Sequence, residues 1–84
     1  MTTKKICEFS KNSQEAYHFR LGEYKGHRFV DLRLFVAANG GDPLPTKKGL
    51  TVAPHLWPQF RRALAQAEAA LIAAGWLDEE DLDG

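Results

Sequence analysis

Residues 17–36, YHFRLGEYKGHRFVDLRLFV, read as two strands joined at Lys25-Gly26. Gly26 accepts the positive φ that a two-residue hairpin turn demands, and strand-forming residues flank the turn on both sides. That turn sets Tyr24 opposite His27. Counting outward pairs Leu21 with Val30, Phe19 with Leu32 and Tyr17 with Leu34, so one side of the pleated ribbon is apolar. The other side pairs Gly22 with Phe29, Arg20 with Asp31 and His18 with Arg33, with Tyr24 and His27 at the turn and Phe35 at the far end. A surface that interleaves rings with cations can stack on bases and neutralise phosphates without reading sequence.

Working outward, residues 1–15 are polar, with only Ile6, Cys7 and Phe9 to bury. They predict a flexible arm over residues 1–14 that ends in a short extended segment. Downstream, AANGGDPLP (residues 37–45) predicts a loop, because Asn-Gly-Gly-Asp-Pro gathers residues that accept left-handed or fixed backbone angles. Two short strands, over residues 44–47 and 50–52, are expected to flank Lys48-Gly49. The period then changes: Trp57, Phe60, Leu64, Ala67 and Leu71 recur at spacings of three and four, an amphipathic helix that ends at Gly75. Pro54 and Pro58 predict a tight opening turn or kink. The expected organisation is an arm (1–14), a domain (15–76) and an acidic tail (77–84).

At 84 residues the chain is one domain's worth, and a chain this short buries only about 60–65% of its unfolded surface. Cys7 is the only cysteine, so no intrachain disulfide can staple it, and scattered histidines make no metal site. Cys7 reads as a passive small side chain, with a reactive thiol as the other reading. Self-association is the remaining source of stability. The helix supports it with a second row, Leu56, Ala63, Ala70 and Ala74, offset from the first, and a stripe of small residues can pack on a copy of itself. The plainer reading is alanine used for helix propensity.

The formal net charge of zero conceals an asymmetry. Asp78, Glu79, Glu80, Asp81 and Asp83 crowd the last seven residues, leaving six acids against all eleven Lys and Arg before them, a net charge of +5. A basic body with an acidic tail is compatible with a nucleic-acid partner. The tail is either a solubilising end or a competitor that lies over the basic face. The lone thiol and the lack of a signal peptide fit a reducing cytoplasmic or nuclear setting, and no apolar run is long enough to cross a bilayer.

The order of these pieces resembles the core domain of the transcriptional coactivator positive cofactor 4. The matching residues are Glu23-Tyr24-Lys25-Gly26 at the turn, Val30-Asp31-Leu32-Arg33 in the second strand, Lys47-Lys48-Gly49-Leu50-Thr51, and Pro54-x-x-Trp57 at the helix start. The resemblance covers about sixty residues, 15–74. It implies an α+β fold, a curved four-stranded antiparallel sheet followed by one C-terminal helix, and a homodimer formed largely through the helices. It also implies a face that binds unpaired DNA with little sequence preference, in transcription and in the protection of unpaired DNA.

Carried over residue by residue, Tyr24 is an aromatic that stacks on bases, and Lys25, Arg33, Lys47 and Lys48 line the backbone track. His27 stands where Lys is usual, so its charge depends on pH. Val36 falls where the family often has a second large aromatic, and Phe35 is its substitute. Ala53 replaces the family's Asn before the helix proline, a lost N-cap worth about 1 kcal/mol. The long Ser-rich arm of animal members is absent, as expected of a bacterial or phage form.

Some residues have simpler roles open to them. Arg20 and Asp31 read equally well as a cross-strand ion pair, and Phe29 as a cover for the bare backbone at Gly22. Catalysis has little support: the three histidines lack metal-ligand spacing, Lys-Lys-Gly is no phosphate-cradling loop, and no general base sits near Ser10 or Ser13. No cofactor is expected. Two functions are left. One is a homodimeric single-stranded DNA-binding protein, with RNA as a second ligand and the transcription machinery as a partner; the other is an interaction module that docks an acidic protein. Exposed rings among the cations favour the first.

Overall fold

The computed structural model describes residues 1–83; Gly84, the last residue of the expected tail, lies outside them. The chain divides into two compact units, Met1–Pro54 and the remainder from His55. The first is a four-stranded antiparallel sheet in the order β1-β2-β3-β4, formed by Thr2–Ser10, Glu15–Tyr24, His27–Ala38 and Gly41–Val52.

The β2–β3 register agrees with the sequence reading pair for pair, from Tyr24 opposite His27 to His18 opposite Arg33 and Tyr17 opposite Leu34. Lys25 (φ 50°) and Gly26 (φ 80°) both take left-handed backbone. This is the turn whose twist matches that of the flanking strands.

Three expectations need correction. The segment read as a flexible arm is largely strand: Thr2–Ser10 pairs along β2, and residues 11–14 form the connection. Its few apolar side chains carry little local signal, because its order comes from backbone pairing with a distant partner, aided by Phe9 against Tyr17 with ring centroids 5.3 Å apart. The predicted loop over residues 37–45 shrinks to a turn at Asn39-Gly40. The two short strands expected around Lys48-Gly49 are one, β4, with Pro43 and Pro45 inside it. An edge strand tolerates proline because half of its N–H groups have no ladder partner to lose.

What looked like a turn at Lys48-Gly49 is an irregularity within β4. Gly49 lies opposite Arg33 and Pro45 opposite Phe35, so residues 46–48 bulge against Leu34 alone. Thr46 holds the bulge: its hydroxyl donates to the Leu34 carbonyl (2.8 Å) and accepts from the Lys48 amide (3.1 Å). Gly49 is needed there because a Cβ would fall 2.4 Å from the Leu32 carbonyl oxygen.

A 3-10 turn at Pro54–Leu56 leads into helix α1, Trp57–Ala73, which belongs to the second unit. The predicted tight opening is this turn, and Pro58 falls in the first helical turn, where its missing N–H would have no intrahelical acceptor. The cap position falls on Leu56, which offers no side-chain cap. At the other end Gly75 (φ 76°) donates to the Ile72 carbonyl and Trp76 to that of Leu71, both at 3.0 Å, the paired bonds of a Schellman stop. No residue of α1 is buried; Leu64 is 50% and Leu71 38% exposed. The acidic segment forms a 3-10 turn at Glu79–Asp83, where the Asp81 carboxylate accepts from the Asp78 amide (3.0 Å).

Candidate nucleic-acid interface

Alternation along β2 and β3 places Arg20, His18, Asp31, Arg33 and Phe35 on one side of the sheet, and there they form one connected cluster. Its centre is Asp31, 1% exposed. Arg20 donates to Asp31 Oδ2 from Nε (3.0 Å) and Nη2 (2.6 Å), and Arg33 donates to Oδ1 from Nη2 (2.9 Å). Burial alone would push the Asp31 carboxyl up; the hydrogen bonds and charges of Arg33 and Arg20 outweigh that and hold it below the usual carboxylate range. Two guanidiniums on one carboxylate leave a net charge of +1 in fixed positions. Arg33 also reaches β4, donating from Nη1 to the Thr46 carbonyl at 3.1 Å.

Phe35 is 8% exposed, with the His18 imidazole lying flat on its ring (centroids 3.9 Å apart, planes at 7°) and the Arg20 guanidinium carbon 5.0 Å from its centroid. The register places Phe35 on the side of the sheet that parity predicts, and there its ring is buried face to face with His18. Phe29 lies over Gly22, where a Cβ would meet its Cζ at 2.2 Å, so the covering role read for it is the one its geometry serves.

Exposed groups lie at the two ends of this cluster. At the hairpin turn Tyr24 is 50% exposed, the Lys25 ammonium sits 5.4 Å from its ring centroid, and His27 is exposed opposite it. On β4, Lys47 and Lys48 are exposed on the bulge beside Gly49, the partner of Arg33. The structure therefore links Arg33 to the Lys47-Lys48 segment through Thr46, whereas Tyr24, Lys25 and His27 form a separate group at the turn. Sequence reasoning missed Thr46, Lys5 and Glu8. Lys5 falls opposite Arg20 and Glu8 opposite His18, positions that become readable only once β1 is paired.

The family description for transcriptional coactivator p15 (PC4) matches residues 11–63, more than half of the chain. The chain belongs to the PC4 family. Crystal structures of a PC4 homolog from Burkholderia pseudomallei, in tetragonal and orthorhombic forms, align with a TM-score of 0.74 and 31% identity. They cover 80% of this chain, and 98% and 90% of those chains. The bacteriophage T5 homolog of the eukaryotic coactivator PC4, implicated in recombination-dependent DNA replication, shares the fold at a TM-score of 0.65. Its identity is 18%, and the alignment covers 100% of this chain and 99% of the phage chain. No curated protein matches. The PC4 match begins at residue 11, so strand β1 lies outside it.

Proposed function

We propose that this protein binds single-stranded DNA with little sequence preference and acts as a coactivator-like regulator of transcription, as a binding protein rather than an enzyme. The observation that carries the reading is Tyr24: a half-exposed ring at the tip of the hairpin, with the Lys25 ammonium beside it, on a sheet side that also holds Arg20 and Arg33. A π-face beside fixed cations accepts any base and neutralises its phosphate. Lys47, Lys48 and Arg33 carry the backbone track, and His27 adds a charge when protonated.

The second part of the proposal is a homodimer joined through α1. Its exposed Leu64 and Leu71, with Leu56 (44% exposed) and Trp57 (36%), offer the apolar area such an interface needs. Membership of the PC4 family and its bacterial and phage relatives support a bacterial or phage origin. No described helix is long and apolar enough to cross a membrane.

Anisotropy of a labelled oligonucleotide, single-stranded against duplex, across a salt series tests the reading. The expected result is preference for the single strand and a log–log salt slope of about −0.7 per phosphate neutralised. Equal affinity for both forms, or no binding at low salt, would refute it.

A further inference from the structure

His18 is a buried titratable group that stacking and phosphate neutralisation leave without a role. Its residue is 7% exposed, and Nε2 has no hydrogen-bond partner among the described residues. A buried polar atom in that state calls for an explanation. An acceptor is close by: Glu8 Oε2 lies 3.3 Å away, in an alignment that falls short of a hydrogen bond. Glu8 belongs to β1, the strand outside the family match, and its other oxygen is 2.7 Å from the Lys5 ammonium.

The charged groups around His18 come from each strand beside it. β1 supplies Glu8 and, behind it, Lys5; β3 supplies Arg33, directly opposite and bound to Asp31. Arg20 on β2 shares the Phe35 ring, and Glu15 lines the same hollow of about 170 Å³ as Glu8 and His18. The hydrogen bond and charge of Lys5 hold the Glu8 carboxyl below its ordinary range, so it stays ionised where an imidazole titrates.

We infer that His18 and Glu8 form a proton-operated clasp: protonation of His18 closes its hydrogen bond to Glu8, fastens β1 to β2 and strengthens nucleic-acid binding by the sheet. The clasp's regulatory role rests on the nucleic-acid reading proposed above. With His18 neutral, Lys5 and Glu8 cancel; with His18 protonated, the three carry +1. One further cation on a face that binds a polyanion adds up to one neutralised phosphate, about 0.7 in log–log salt slope for a single strand. The backbone ladder and the Phe9–Tyr17 contact hold β1 at any pH, so the clasp modulates binding and does not gate it.

The test uses the full chain with His27→Gln and His55→Gln, which removes the other two imidazoles, and a labelled oligothymidylate as probe. Affinity is measured at about pH 5.5 and about pH 8, on either side of the ordinary imidazole range. At about 0.15 M salt the acid side is expected to bind about fourfold more tightly, the worth of one added phosphate contact. Adding His18→Gln should remove that ratio, and an unchanged ratio would overturn the proposal. Amide-exchange protection of β1, corrected for intrinsic rates, reads the clasp without nucleic acid. Protection that rises in acid and is lost in His18→Gln or in Glu8→Gln supports the clasp, and protection indifferent to pH overturns it. Glu8→Gln, at an exposed position, also serves if His18→Gln does not fold. Absence of oligothymidylate binding at both pH values would instead sink the nucleic-acid reading, leaving the exchange measurement to decide the clasp alone.

Discussion

Arg33 does not stand free on the sheet: its guanidinium donates to the buried carboxylate of Asp31 in the same strand, two residues away, with Nη2 2.9 Å from Oδ1. Arg20 completes the arrangement from β2. Removing Asp31's charge would leave two partly buried guanidiniums facing each other. Asp31→Asn is therefore expected to cost about 3 kcal/mol, the scale for losing one partner of a buried ion pair. Urea unfolding checks this, and a loss below about 0.5 kcal/mol would mean that the cluster is solvated in the manner of a surface pair.

The same contact sets a pH dependence. Asp31 has a folded-state pKa held below the usual carboxylate range, so its contribution is complete above the unfolded value and is lost as pH falls through the folded one. Stability measured from about pH 6 down to about pH 2 should decline more steeply in the parent than in Asp31→Asn. Parallel declines would assign the acid loss to other carboxylates.

Tyr24 is exposed and holds no strand together, so its removal should be visible in binding alone. Tyr24→Ala is expected to weaken oligonucleotide binding by about 1–3 kcal/mol, the worth of one base stack. Its melting temperature should stay near that of the parent. Tyr24→Phe should retain most of the affinity, whereas a Phe variant as weak as the Ala variant would point to the hydroxyl instead of the ring.

Gly49 and Gly22 differ in what confronts an added methyl. At Gly49 it meets the Leu32 carbonyl oxygen at 2.4 Å and the Arg33 Cα at 2.9 Å, both backbone; at Gly22 it meets the end of the Phe29 ring. A ring can swing aside and a ladder cannot. Gly49→Ala should cost about 2–3 kcal/mol, and Gly22→Ala about 1 kcal/mol or less, since alanine's gain in strand propensity offsets part of the clash. Thermal denaturation of the two variants gives the order, and its reversal would show β4 to be the more yielding site.

If α1 joins two copies, charge placed on its exposed apolar row should part them. Leu64→Asp with Leu71→Asp should shift sedimentation from dimer to monomer while circular dichroism retains strand and helix. A parent chain that sediments as a monomer would dispose of the dimer.

How far the sequence could be read differs by element, for identifiable reasons. The β2–β3 register was legible because a two-residue turn pins it, and a slip of one residue would exchange the oily and basic sides. Helix α1 was legible from its period and its stop at Gly75. Strand β1 was not, since Thr2–Ser10 has little apolar content and its order depends on a partner elsewhere in the chain. β4 looks like two pieces in sequence because Pro43, Pro45 and Gly49 are local breakers, and pairing with β3 along an edge overrides them. At the site, parity showed which side Phe35 occupies but not that its ring would stack on His18.

Alternation around Lys25-Gly26 alone sets which residues share a face, and the residue types put cations among rings there. Those are local quantities, set by turn geometry and the two-residue period of a strand. Which of those groups stay exposed depends on long-range pairing. Tyr24, Lys25, Lys47 and Lys48 remain exposed, Arg33 is part-buried against Asp31, and Phe35 is buried against His18. Burial and pairing depend on where distant strands bring their side chains, and β1, with the fewest local cues, brings Glu8 to His18.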